Sequence, residues 1–315
     1  MKKIISAVVI CAAALVSLSA KPKEKLIKIG VVQLVEHSAL DANYRGFVDG
    51  LAEAGYVDGQ NIRIDYQNAQ GEQANCVTIA QKFVNGKSDL IFAIATPAAQ
   101  AVANITKKIP IVISSVTDPE SAKLVKSSKA PGKNVTGTSD LTPCAAQMNL
   151  IKKLYPNAKT VGMLYCSSEQ NSHFQIKLAE EACEKLGLKY IEATVSNSNE
   201  IQQVTQSLCG KVDVIYTPTD NMIAAGMPLV AQVAIENKIP TIVGEEGMVK
   251  AGGLATYGIN YYELGKQTAK MAVSILKGET VPAEMPIQYL NTCEFVVNEE
   301  TAKKLGVEIP SDLLK

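Results

Sequence analysis

The sequence predicts an α/β protein of two doubly wound parallel-sheet lobes joined by a multi-strand hinge. Three observations carry this. Short apolar runs alternate with amphipathic stretches from Leu26 onward, the pattern of βαβ units. Runs such as that of "DLIFAIA" (89–95) are apolar throughout after the opening Asp89, which fits strands covered on both faces. The pattern also comes twice: 88–113 and 212–243 each hold an apolar strand opened by Asp, a Thr-Pro step, an Ala-rich helix and a strand opened by Ile-Pro.

The elements follow in order. "LIKIGVVQLV" reads as a strand, and "LDANYRGFVDGLAEAG" as a helix with Leu40, Tyr44, Phe47 and Leu51 on one face and Gly55 at its end. Strand "NIRIDYQ", helix 72–85, strand "DLIFAIA", helix 97–107 and strands "IPIVISS" and "NVTGTS" complete a first series. The second series is helix 144–154, strand "TVGMLYC", helix 172–186, strand "LKYIEATV", helix 199–208, strand "VDVIYT", helix 221–237 and strand "IPTIVG". "VTGTSDLTP" (135–143), "GGLATYGINYYELG" (252–265) and the tail after 282 supply three crossings between lobes. Lobe 1 is then expected from 26–139 with about 259–282, and lobe 2 from 140–258 with about 283–315.

At 315 residues the chain has room for two such lobes. Its 31 basic and 31 acidic residues balance, which argues against nucleic acid or an anionic surface as the main partner. Residues 1–20 read as a signal peptide. Lys2 and Lys3 precede an apolar run, and small residues at Ser17, Ser19 and Ala20 offer a cleavage site before "KPKEK". The expected location is therefore the periplasm or the cell-envelope surface. Cys11 follows bulky Ile10, a poor context for lipid attachment, and no cysteine stands at the cleavage point. Six cysteines remain, scattered and without a CxxC, so the sequence assigns no pairs.

Ligands of open parallel sheets bind beyond the carboxyl ends of the strands. Those ends carry Gln33, Thr96, Thr117 with Asp118, Ser139 with Asp140, Thr219 with Asp220 and Asn221, and Glu245. At "IFAIATPAAQ", Pro97 opens a helix whose free N–H groups form an anion site, and Ala98 and Ala99 let an anion approach the backbone. No Lys or Arg stands nearby, so the site suits one carboxylate. A plain helix cap is the other reading. Across the cleft Asp118, Asp140, Asp220 and Glu245 are candidates to grip an ammonium; singly, each also reads as a cap. A carboxylate and an ammonium on one small ligand describe an amino acid. Tyr257, at a strand end in the second crossing, is the aromatic placed at the cleft.

Enzyme motifs are missing: there is no G-x-S-x-G, P-loop or G-x-G-x-x-G. His37 and His173 are the two histidines and lack metal-ligand spacing. No catalytic residue, metal or cofactor is expected. The absence of Trp lowers a carbohydrate reading.

"VEHSALDANYRGFVDGLAEAGY", "YQNAQGEQAN", "IATPAAQA", "VTDP", "VTGTSDLTP", "YTPTDN" and "YYELGKQTAKMA" resemble the ABC transporter substrate-binding family of the tryptophan/tyrosine type. The resemblance runs from about Lys28 to Pro310, with the motifs in order. It implies a type I periplasmic binding fold and delivery of an amino acid, aromatic by preference, to an ABC permease; the receptor is expected to be a monomer. By position Thr96, Ala98 and Ala99 resemble the carboxylate site, and Asp140 or Asp220 the ammonium partner. Ser38 stands where the family often has Pro, and many members carry a lipid-attachment cysteine that this chain lacks. The competing readings are a receptor for a branched-chain amino acid, nucleoside or sugar, and a periplasmic sensor component.

Overall fold

A computed structural model describes residues 26–314; the expected signal peptide lies outside them. Strands β1 (Ile27–Gln33), β2 (Ile62–Asn68), β3 (Leu90–Ile94), β4 (Ile111–Ser114), β5 (Val135–Ser139) and β11 (Gln288–Tyr289) form one sheet in the order β11-β5-β4-β3-β1-β2, every pair parallel. A second sheet has the order β12-β10-β9-β8-β6-β7. It is built from β6 (Thr160–Cys166), β7 (Lys189–Val195), β8 (Val214–Thr217), β9 (Thr241–Val243), β10 (Ala255–Gly258) and β12 (Glu294–Val297). Only its edge strand β12 runs antiparallel, with Ala255 opposite Val297.

The helices cover both faces, so β3, β4, β5, β8 and β9 are buried at every position. β3 is the clearest case, with all five residues buried. On the first sheet α1 (Ser38–Glu53) packs against α10 (Tyr261–Leu276), and α2 (Gln73–Asn85) against α3 (Thr96–Ile105). Phe47 of α1 stacks on Phe92 of β3 at 3.9 Å between centroids. On the second sheet α4 (Cys144–Leu154) pairs with α5 (Gln170–Lys185), α11 (Glu299–Leu305) joins their face, and α6 (Ile201–Leu208) pairs with α8 (Met227–Glu236).

The expected helix 221–237 is two: α7 (Asn221–Ala225) and α8, parted at Gly226. Pro228, in the first turn of α8, cannot donate to the carbonyl of Ala224, so one continuous helix would leave that bond unmade. Short α9 (Glu246–Lys250) follows β9. The tail stays on the first sheet longer than the sequence-based division has it, because β11 pairs with β5 through Gln288 and Thr138. The chain passes between sheets at 140–143, 259–260 and 290–293. Among the described residues no helix is long and apolar enough to cross a membrane.

Candidate functional site

The carboxyl ends of the two sheets face each other and touch. Thr117 Oγ1 lies 3.4 Å from Thr219 Oγ1 of the other lobe, and Gln175 Nε2 donates to both hydroxyls at 3.4 and 2.6 Å. His37 Nε2 is 3.5 Å from Asn221 Oδ1. Farther out, Gln100 Nε2 donates to Gln170 Oε1 at 2.7 Å, Gln170 Nε2 donates to the carbonyl of Ser121, and Gln73 Nε2 reaches the carbonyl of Ser168 at 3.4 Å. Between the lobes a space of about 10 Å³, room for one water, is bounded by His37, Asp140, Thr219, Asn221, Glu245 and Tyr261. Asn221 also lines a groove of about 790 Å³ flanked by Leu34, Pro97, Glu169, Met222 and Leu229.

Carboxylates dominate this seam. Asp140, at the end of β5, accepts from Tyr261 Oη at 2.8 Å and Thr117 Oγ1 at 3.1 Å. Burial, only partly offset by these two donors, pushes its pKa up to about 6. Glu245 caps α9, accepting from the N–H groups of Gly247 and Met248, and burial pushes it up to about 7. Asp220 caps α7 through Ile223 N–H and accepts from Cys166 N–H and Ser172 Oγ. Glu169, beyond β6, accepts from Asn171 Nδ2, Met222 N–H and both nitrogens of Asn221. Burial raises the pKa of both Asp220 and Glu169, and the Asp220 charge lifts Glu169 further. His37 is pushed down to about 4 by burial, so its ring is neutral. Among the described residues no Lys or Arg lines the space or the groove.

The carboxyl ends of β1, β3 and β4 carry buried polar atoms without partners. Gln33 donates through Nε2 to Val35 O and Asp41 Oδ1, leaving Oε1 unpaired. Thr96 Oγ1, Ser115 Oγ and His37 Nδ1 have none either. The backbone there is strained: Ala95, which caps α3, has φ 83° and ψ 152°, a region that favours glycine, and Ser115 has φ 54°. Each such residue costs about 1–3 kcal/mol, and strain of this kind collects at ligand clamps. Buried unpaired atoms also cost energy unless something binds them.

Of the residues read from the sequence, the structure brings Gln33, Thr96, Thr117, Ser139, Asp140, Asp220, Asn221 and Glu245 to the seam as buried groups. Ser139 Oγ donates to the Thr117 carbonyl at 2.7 Å and so braces the loop that holds Thr117. Ala98 and Ala99 are wholly buried in the first core, behind Thr96. Asp118 turns away: its carboxylate caps the next turn through Ser121 N–H at 2.7 Å. Tyr257 also lies elsewhere, half-buried and packed with Phe295 against the core of the second lobe. Its place is taken by Tyr261, four residues on at the start of α10. The strand-end rule, carried to β6, reaches Glu169 and Asn171 as well, and carried to β4 reaches Ser115.

The model of the ABC transporter substrate binding protein family matches residues 28–315. The chain belongs to this family. Its members are substrate-binding components rather than enzymes. A tyrosine-binding protein of Clostridioides difficile is 46% identical over 285 residues, 90% of this chain and 82% of that protein. The structure of a Streptococcus ABC domain in complex with L-Trp superposes with a TM-score of 0.89 at 43% identity, covering 92% of this chain and 98% of that one. A ligand-free, open substrate binding protein of Clostridium difficile gives a TM-score of 0.70 at 49% identity, covering 91% and 97%. The greater likeness in sequence thus goes with the lesser likeness in shape. The difference matches the interlobe hydrogen bonds: this substrate-binding protein is described with its lobes closed.

Proposed function

We propose that this protein captures an aromatic L-amino acid between its lobes and delivers it to the permease of an ABC importer. The carrying observation is the pairing of buried acids that no Lys or Arg among the described residues neutralises with the unpartnered hydroxyls of Thr96, at the start of α3, and Ser115, just after β4. An α-ammonium held by Asp140, with Glu245 behind it, relieves the first set. An α-carboxylate at Thr96 and Ser115, close to the α3 N-terminus, relieves the second. The aromatic side chain then runs from Asn221 toward the groove lined by Leu34, Pro97 and Met222. The relatives that carry Tyr or Trp support an aromatic side chain.

The protein works by population shift, since a ligand that touches both lobes only when they close favours the closed state by that differential affinity. We place it outside the cytoplasm, freed from residues 1–20 and working as a monomer. One moving lobe comprises 26–139 with 259–289, the other 140–258 with the rest.

The test is a thermal-shift screen of unfolded, ligand-stripped and refolded protein against the twenty amino acids, sugars and nucleosides. A ligand at a hundred times its Kd stabilises by about 2.7 kcal/mol, and each kcal/mol moves the midpoint by about 2–4 °C for a domain of 150–250 residues. A shift with one or more of Tyr, Trp and Phe is expected. A shift confined to sugars or nucleosides overturns the reading.

A further inference from the structure

We infer that Asn171 is a specificity-determining residue, whose side-chain oxygen accepts a hydrogen bond from an N–H or O–H on the ligand's aromatic ring. The inference rests on the aromatic amino acid reading above and deepens it. Asn171 stands in the first turn of α5, 4% exposed. Its Nδ2 donates to Glu169 Oε2 at 3.0 Å and to the Thr219 carbonyl at 3.2 Å. The Thr219 carbonyl accepts only, so the amide cannot flip without facing oxygen to oxygen there. That fixes Oδ1 as a pure acceptor, and it is buried without a donor.

The side chain stands where the lobes meet. Asn171 and Gln175 are four apart and share a helix face, and Gln175 on that face reaches Thr117 of the opposite lobe. Glu169 fixes the amide: Asn171 Nδ2 and both nitrogens of Asn221 converge on its Oε2, while Met222 N–H holds its Oε1. The two partners of Asn171 bound the cleft, Thr219 the space between the lobes and Glu169 the groove, whereas Asp140 stands at the end of β5, beside the first crossing. A ligand whose ammonium is at Asp140 therefore presents its ring edge, not its amine, to Asn171. Tyrosine carries a phenol O–H there and tryptophan an indole N–H; phenylalanine carries neither and leaves the oxygen unpaired.

Titration calorimetry of the refolded, ligand-stripped protein with L-Tyr, L-Trp, L-Phe and 4-fluoro-L-Phe tests this. The fluoro analogue fills the space of the phenol without a donor. We expect the better of Tyr and Trp to bind about ten- to a hundredfold more tightly than Phe and 4-fluoro-L-Phe. In Asn171→Ala that ratio collapses toward one, with Phe affinity nearly unchanged. Equal affinities for all four ligands in the wild type overturn the inference and leave the aromatic reading intact, whereas no binding by any of them removes that reading itself. Should Asn171→Ala weaken Phe as much as Tyr, Asn171 is a structural residue and the inference fails. The wild-type comparison decides alone if the variant does not fold.

Discussion

Asp140 carries two separate consequences. In the closed protein its pKa stands near 6 against 3.8 for the ordinary group, raised by burial. Between those values the folded protein holds a proton that the unfolded chain has released, so stability falls as pH rises through that window. Asp140→Asn removes the effect. The melting temperature of the ligand-free variant, measured against wild type, should therefore climb from pH 4 to pH 6 and stay level above. His37, depressed to about 4, works with the opposite sign over the same range in both proteins and cancels in the difference. The same substitution replaces a charge-assisted partner of the ammonium with a neutral one and should raise the ligand Kd about ten- to a hundredfold. A flat pH difference would mean that Asp140 is ionised in the closed protein. What the sequence allowed at this level was a set of strand-end residues. It did not disclose which way a side chain turns: Asp118 and Asp140 are both acids after a strand, yet one caps the adjacent turn and the other meets Tyr261. Backbone strain at Ala95 was invisible too, because alanine carries no mark of the glycine region it occupies.

Among the elements, the α1–α10 pair shows how a helix from after the second crossing docks on the first sheet. A side-chain carbon on Gly46 would come within 2.0 Å of the Tyr262 carbonyl, and one on Gly265 within 2.0 Å of the Asn43 carbonyl. The helices approach backbone to backbone, and only glycine fits the contact. A buried hydroxyl network completes it: Asn43 donates to Ser114 at 2.7 Å, and Thr138 and Thr268 lie 2.7 Å apart. Gly265→Ala must separate the helices, and overpacking of this sort costs about 1–3 kcal/mol. A drop of at least several degrees in melting temperature is expected by calorimetry; an unchanged midpoint would show that the pair has slack. The elements themselves were legible, since apolar runs and amphipathic stretches mark them directly. Glycines facing across two distant helices were not, because each is ordinary in its own segment and their meeting depends on the fold.

For the molecule, closure has a latch apart from the ligand. Gln170 receives from Gln100 and donates to the Ser121 carbonyl, contacts that exist only while the lobes meet. Gln170→Ala should therefore speed ligand dissociation about five- to tenfold, from the loss of about 1 kcal/mol of hydrogen bonding, and leave association unchanged. Stopped-flow fluorescence separates the two rates, and a slower association with unchanged dissociation would place Gln170 in the encounter instead. The two-lobe plan was readable from the doubled βα pattern. The clasp was not, because glutamine on an amphipathic helix looks like a solvated residue until the second lobe arrives.

The three crossings leave from one end of each sheet, at β5, β10 and β11, while β2 and β7 form the far edges. Four strand spacings separate β5 from β2, about 19 Å at 4.8 Å each. The arrangement is a lever with its fulcrum at one side. Each degree of rotation at the fulcrum moves the far rim by about 0.3 Å, and residues near the fulcrum hardly move. A membrane partner that gauges the span between the rims thus reads an amplified copy of a small angular change. It needs no contact with the amino acid that caused it.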